Sequence, residues 1–291
     1  MTSPSIQWYP GHIAKAEKAL QEQLKRVDVV LEVRDARIPL ATLHPKLDEW
    51  IGGTNRVLVI NRVDMITPEM RDRWQSWFKS QGQVAYYTDA NQGKGVGQIA
   101  RAAQAAGVAM NQRRQDRGMR SRPVRAVVIG FPNVGKSALI NRLLKRRIVE
   151  SARKAGVTRQ LRWVRISDEL ELLDAPGIIP AHLTDQVAAL KLAICDDIGQ
   201  AAYDTQRVAS AFVDLLKQLD AEEGTHHRTQ ALQTRYDIDP TCCTGETYLH
   251  QLAEQKFHSS QEQAARKLLI EFRKGVLGKL SLELPPDYHS E

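Results

Sequence analysis

Gly130-Phe131-Pro132-Asn133-Val134-Gly135-Lys136-Ser137 decides the fold. The stretch fits glycine, four residues, then Gly-Lys-Ser/Thr, the pattern of a loop whose backbone N–H groups close around a phosphate. Its surroundings have the matching layout. An apolar run, Val124 to Ile129, leads into it, and Leu139, Ile140, Leu143 and Leu144 recur at helical spacing after it. Glycines let the backbone approach an anion, and the helix start adds about half a positive charge. Lys136 is placed to reach β- and γ-phosphates, and the Ser137 hydroxyl to bind Mg²⁺. Asn133, Val134, Gly135 and Ala138 complete this contact set.

Two further segments extend the phosphate end. Asp174-Ala175-Pro176-Gly177 closes the apolar run Leu170 to Leu173. An Asp at such a strand end holds Mg²⁺ through water, and the glycine N–H contacts the γ-phosphate. Between them, Gly156-Val157-Thr158 offers a Thr that completes the Mg²⁺ shell when its loop orders; Thr184 lies after Asp174 and is the poorer candidate. Lys136, Thr158 and Gly177 are therefore the expected catalytic contacts.

Upstream, Val57 to Ile60 leads into Asn61-Arg62-Val63-Asp64. A carboxylate accepts from both the N1–H and the N2 amino group of guanine, a donor pair that adenine lacks. After another run, Val84 to Tyr87, come Thr88-Asp89-Ala90-Asn91, where the Ala90 N–H is placed to donate to the guanine carbonyl. The expected ligands are GTP and GDP.

These motifs sit in a chain of 291 residues, 42% hydrophobic and 26% charged, the composition of an ordinary globular protein. Its net charge is +7, from 41 Lys+Arg against 34 Asp+Glu. No apolar stretch approaches the ~18 residues of a membrane span. The polar start, Met1 to Pro10, lacks a signal-peptide layout. Cys195, Cys242 and Cys243 make a poor disulfide framework, and no Cys/His spacing suggests zinc. The expectation is a cytoplasmic protein.

Six apolar runs alternate with helical or loop segments: Val27 to Val33, Val57 to Ile60, Val84 to Tyr87, Val124 to Ile129, Leu161 to Ile166 and Leu170 to Leu173. This predicts an α/β fold with a mostly parallel six-stranded sheet, the last two runs forming a hairpin at Ser167-Asp168-Glu169. Ile13, Ala16, Leu20, Leu24 and Val27 mark an amphipathic helix before it. Beyond about Asp185 the strand signals stop. Val208, Ala211, Phe212, Leu215, Leu216 and Leu219 form one helical stripe, and Ala264, Ala265, Leu268, Leu269 and Phe272 another. The expected domains are residues 1–186 and a smaller all-helical 187–291, with an exposed arginine-rich linker at about 108–123.

The order of the parts is rotated. In Ras-like P-loop GTPases the phosphate loop precedes the base motifs; here Asn61 to Asp64 and Asp89 to Asn91 come first. That is the order of circularly permuted GTPases. Among them the chain resembles the ribosome biogenesis GTPase A (YlqF/RbgA) family over nearly its whole length. The resemblance includes Gln7-Trp8-Tyr9-Pro10-Gly11-His12, Val33-Arg34-Asp35-Ala36-Arg37-Ile38-Pro39, Leu192-Ala193, Phe272 to Gly278 and Leu282-Glu283. Two positions depart from it. Arg62 stands where Lys is usual, its stem expected over the base, and Asp89 stands where Ser is usual.

The resemblance implies a GTP hydrolase that assembles the large ribosomal subunit, binds rRNA, is stimulated by the particle, touches no membrane and is monomeric off the ribosome. Ile178 follows Gly177 where a Ras-like enzyme has its water-orienting Gln, so intrinsic turnover should be slow. His12 is the family's candidate for that role, against a plain helix start. Asn133 implies K⁺ as an additional ion. Arg142, Lys145, Arg146, Arg147, Arg153, Lys154, Arg159, Arg162 and Arg165, with the linker arginines, are candidates for RNA phosphates, as are Arg266, Lys267, Arg273, Lys274 and Lys279. His226-His227-Arg228 reads as an exposed loop, and Trp74 and Trp77 as packing residues. Two other readings stay open from the residues alone: a P-loop ATPase or kinase, and an RNA-binding module with a regulatory nucleotide site.

Overall fold

Strand β1, Val29–Asp35, is buried at every position although Glu32, Arg34 and Asp35 carry charge. Its place in the sheet is the reason. It pairs in parallel with β2, Asn55–Asn61, on one side and with β4, Val124–Ile129, on the other. The remaining strands are β3, Ala85–Thr88, β5, Arg162–Arg165, and β6, Leu170–Asp174. The computed structural model describes residues 20–144, 162–174, 185–199 and 203–286. The six strands lie in the order β3-β2-β1-β4-β6-β5, all parallel except β5 against β6. All six apolar runs are strands, because a strand covered on both faces needs apolar residues on both. The hairpin forms where expected, with the Ile166 and Ser167 N–H groups donating to the Leu170 carbonyl at 2.9 and 3.2 Å.

The buried charges on β1 are paired. Glu32 accepts from Arg34 at 2.6 Å and forms an ion pair with Arg56 at 3.2 Å, while Asp35 is held by Arg37 at 2.7 Å. One face of the sheet presents Val30, Val127, Ile129 and Leu173 to Leu20, Leu24 and helix α1, Leu47–Ile51, with Val27 and Trp50 at the margin. Leu20, Leu24 and Val27 thus bury the face expected of the first helix; Ile13 and Ala16 lie outside the described residues. Helix α2 is Pro68–Ser80 and helix α3 Val96–Asp116.

The expected exposed linker is largely structured. Residues 108–116 continue α3, a Gln- and Arg-rich turn whose polarity masks its helicity in sequence. Arg122 makes a bidentate pair with Asp28 at 2.8 and 2.9 Å, and its backbone exchanges hydrogen bonds with the Asn111 side chain. The Arg125 N–H also donates to Asp28, and its guanidinium lies 5.6 Å from the Trp163 ring. Arg113, Arg117 and Arg120 remain exposed.

The described residues fall into two compact units, one holding the sheet and the other Asp64–Trp77 with residues 185–286. In the second, Trp74 is fully buried and stacks edge-on to Trp77 at 5.6 Å, as packing residues do. Arg73 pairs there with Glu223, so Asp64–Trp77 groups with helices rather than with the expected first domain. Those helices are α5, Gln186–Cys195, α6, Thr205–Glu223, α7, His227–Tyr236, α8, Gly245–Lys256, and α9, Gln261–Arg273. The two predicted stripes meet at Phe212 and Phe272, whose rings are 4.8 Å apart. Asp185, Asp204, Thr244 and Ser260 cap helix N-termini through their side chains.

Two basic positions change their meaning. Arg228 is fully buried at the start of α7, bound to Asp220 and Glu223, so His226 to Arg228 is not simply an exposed loop. Arg273 donates to the Ala193 and Ile194 carbonyls, each at 2.8 Å. It therefore closes the C-terminal end of α5, where cations are favoured, rather than standing free for RNA. Lys274 and Lys279 are exposed.

Glu271 ties α7 to α9. It accepts from Arg235 twice at 2.7 Å, from the Tyr236 hydroxyl at 2.8 Å and from Lys267 at 3.2 Å. The Arg235 hydrogen bonds lead in holding its carboxyl down to about 2, against the opposing effect of burial. A depressed carboxylate stabilises the fold above its unfolded pKa and loses that contribution as pH falls through the folded one. Acid unfolding should therefore weaken the helical unit between the unfolded value of 4.5 and about 2. Glu271→Gln should cost ~1–3 kcal/mol at neutral pH and flatten that acid limb in pH-resolved thermal melts.

Candidate nucleotide-binding site

Parallel pairing brings the motif-bearing strand ends to one edge. Asp35 is in register with Asn61, and Asn61 with Thr88. β4 ends at Ile129, opposite Glu32 of β1, so Gly130 turns away beside Val33. A Cβ at Gly130 would lie 2.3 Å from the Val33 carbonyl oxygen, so only glycine permits this exit. Ligand crevices of open α/β sheets lie at the carboxyl ends of their strands.

The phosphate loop closes on its own lysine. Helix α4, Lys136–Leu143, starts after Gly135, whose φ is 102°. Lys136 is buried, and its Nζ donates to the Gly130 and Phe131 carbonyls at 3.0 and 2.7 Å. The ammonium therefore spans the start of the loop from inside. Asn133 adopts φ 59° at the apex, a conformation Asn tolerates better than most residues.

Asn61 joins this loop to the base motif. It is buried, its Nδ2 donates to the Val134 carbonyl at 2.7 Å, and its Oδ1 accepts the Ala90 N–H at 3.0 Å. Its own carbonyl accepts the Ala36 N–H at 2.8 Å. The Ala90 N–H, expected to serve the guanine carbonyl, is thus engaged by Asn61. Arg62, at φ 64°, donates to the Asn133 carbonyl and lies 3.4 Å from Asp35. Its guanidinium is committed to protein at both contacts. Asp89 is buried and its Oδ1 accepts the Asn91 and Gln92 N–H groups at 2.9 and 3.0 Å. Asp64 lies in the 3-10 turn Val63–Met65 and is exposed.

Asp35 and Arg37 were given no role by sequence. Arg37 is fully buried and grips Asp35 with Nε at 3.0 Å, Nη2 at 2.7 Å and its backbone N–H at 2.9 Å. Burial pushes the Asp35 carboxyl up, but the Arg37 and Arg62 charges outweigh it and hold the group below the ordinary carboxylate range. The available signal was an acid at the end of an apolar strand, two residues before an arginine.

Arg142, assigned by sequence to an RNA-facing cluster, instead donates to the Ala90 and Asn91 carbonyls. Arg165 pairs with Asp168 at 3.1 Å. His12, Thr158 and Gly177 lie outside the described residues, as do Lys145, Arg146, Arg147, Arg153, Lys154 and Arg159. Asp174 ends β6 in register with Val128 of β4. No group of three or more His, Cys, Asp or Glu among the described residues could hold a metal ion. A hydroxyl at Ser137 with oxygen donors from a nucleotide and water suits Mg²⁺, which seldom uses an all-protein cage.

A Cβ at Gly135 would sit 2.1 Å from the Asn61 amide nitrogen, and φ 102° disfavours any L side chain. Gly135→Ala should therefore displace Asn61 and lower GDP affinity by at least about tenfold. Calorimetric titration with GDP checks this; a change under twofold would contradict it.

Residues 125–235 match the family model described as MMR_HSR1, 50S ribosome-binding GTPase. That stretch begins in β4, leaving Asn61 to Asp64 and Asp89 to Asn91 upstream of it. Ribosome biogenesis GTPase A of Bacillus cereus is 32% identical over 97% of this chain and 95% of its own. The protein of that name from Priestia megaterium is 36% identical over 81% of this chain and 79% of its own. In fold, the chain is similar to GNP-bound YlqF from T. maritima, with TM-score 0.65 and 22% identity over 94% of this chain and 99% of that one. By sequence identity over nearly its whole length, and with the motifs in the rotated order, the chain belongs to the ribosome biogenesis GTPase A family.

Proposed function

We propose that this GTPase acts in the cytoplasm as an assembly factor for the large ribosomal subunit, hydrolysing GTP to GDP and phosphate when the particle stimulates it. The supporting observation is the Lys136 ammonium inside the phosphate loop, with Asn61 joining that loop to the base motif. Lys136 and the first N–H groups of α4 take the β- and γ-phosphates. Ser137, Thr158 and Asp174 would hold Mg²⁺, which when bound would supply positive charge to offset charge developing on the phosphates. The Gly177 N–H meets the γ-phosphate, Asp64 accepts from the guanine N1–H and N2 amine, and Asn133 helps hold K⁺.

The slow step is water orientation. Ile178 offers no hydrogen bond, so His12 takes that role once the particle is engaged. The particle is reached through RNA phosphates. Arg113, Arg117 and Arg120, exposed near the end of α3, supply cations for this contact, as do Lys274 and Lys279. The matched description of a 50S ribosome-binding GTPase supports this partner.

Co-sedimentation with purified ribosomal subunits tests the reading. Binding to the large subunit should be stronger with a GTP analogue than with GDP, and excess ADP should not compete. Equal sedimentation in both nucleotide states, or ADP competition, would count against it. His12→Ala should reduce subunit-stimulated turnover by about 10²-fold or more at unchanged GTP affinity, the usual scale for a positioned proton-transfer group. Unaltered stimulated turnover would remove His12 from the mechanism.

A further inference from the structure

The base loop is held by an anion on one side and a cation on the other. Asp89 Oδ1 accepts the N–H groups of Asn91 and Gln92. Arg142 Nε donates to the Ala90 carbonyl at 3.3 Å, and Nη2 to the Asn91 carbonyl. Each contact pair falls on a single peptide plane. The Ala90–Asn91 peptide points its carbonyl at Arg142 and its N–H at Asp89. The Asn91–Gln92 peptide does the same. Both peptide dipoles therefore lie along the field between a guanidinium and a carboxylate, and flipping either plane would oppose both charges.

Neighbouring residues fit this arrangement. Gly93, at φ +84°, passes beneath Arg142, where a Cβ would meet its Cδ at 3.0 Å. The Gly93 N–H donates to the Asp89 carbonyl at 2.7 Å, and the Asp89 N–H to the Lys94 carbonyl at 3.1 Å. Asp89 brings a full negative charge to oppose the guanidinium, which an uncharged side chain would not. Arg142 also sits on α4, whose first residue is Lys136. The helix that begins at the phosphate loop thus ends at the base loop.

We propose that Arg142, acting with Asp89, is the residue that positions the guanine-reading loop. By locking the two peptide planes after Ala90, it anchors the loop on one side of that residue, while Asn61 Oδ1 holds the preceding plane, whose Ala90 N–H the guanine carbonyl then shares. An arginine suits this because its planar fork spans two carbonyls, which the single ammonium of lysine does less well. The proposal rests on Ala90 being the donor to the guanine carbonyl.

The probe is 6-thioguanosine diphosphate, which keeps the N1–H and N2 donors but replaces the carbonyl oxygen with a weak sulfur acceptor. The native protein should bind it about tenfold more weakly than GDP, the scale of one hydrogen bond. Arg142→Ala should lower GDP affinity about tenfold while changing 6-thio-GDP affinity less than twofold, so discrimination disappears. Arg142→Lys should restore part of it, and the thermal midpoint of both variants should match the native protein. Equal losses for both nucleotides would mean general loosening and overturn the proposal, as would GDP affinity unaltered by Arg142→Ala. Absent discrimination in the native protein would instead refute the assignment of Ala90, and the proposal with it.

Discussion

One side-chain amide holds the site together. Asn61 donates to the Val134 carbonyl of the phosphate loop and accepts the Ala90 N–H of the base loop, at the end of the strand between them. A primary amide is the smallest side chain that offers a donor and an acceptor in one rigid plane. The fit is close enough that Gly135 must be glycine, since any Cβ there would meet this amide. Burial raises the consequence of losing it, because two backbone groups would be left unpaired in a low-dielectric setting.

Around this amide the site is organised by paired buried charge. Asp35 is held by Arg37 and faces Arg62, which reaches on to the Asn133 carbonyl. Glu32 is shared between Arg34 and Arg56 in the middle of the sheet. Removing one member of such a pair leaves a charge uncompensated, so these groups hold the strand exits with little tolerance for change. Rotating the chain order does not disturb this. The parallel register places Asn61, Thr88 and Asp35 together whichever motif is synthesised first.

The six strands were legible because a parallel strand buried on both faces reads as a continuous apolar run. The end of α3 was not, because a helix finished in Gln and Arg looks like a loop to any pattern built on apolar spacing. Arginines were the most misleading residues. Arg122, Arg142, Arg228 and Arg273 all read as surface cations, and each is committed to a carboxylate or a carbonyl. Nothing local marks them, because their partners lie tens of residues away or on another element.

The sequence by itself determined the Gly130 to Ser137 pattern, the Asn61 to Asp64 pattern, their rotated order and the family they resemble, because each depends on residue types at short, fixed spacings. Tertiary structure alone decided which groups those motifs lean on. It put the Ala90 N–H on Asn61, the Asp35 carboxylate between two arginines, and the Arg142 fork on the base loop. Those contacts depend on strand register and on how an element packs, and both are settled by the whole core rather than by neighbours in the chain.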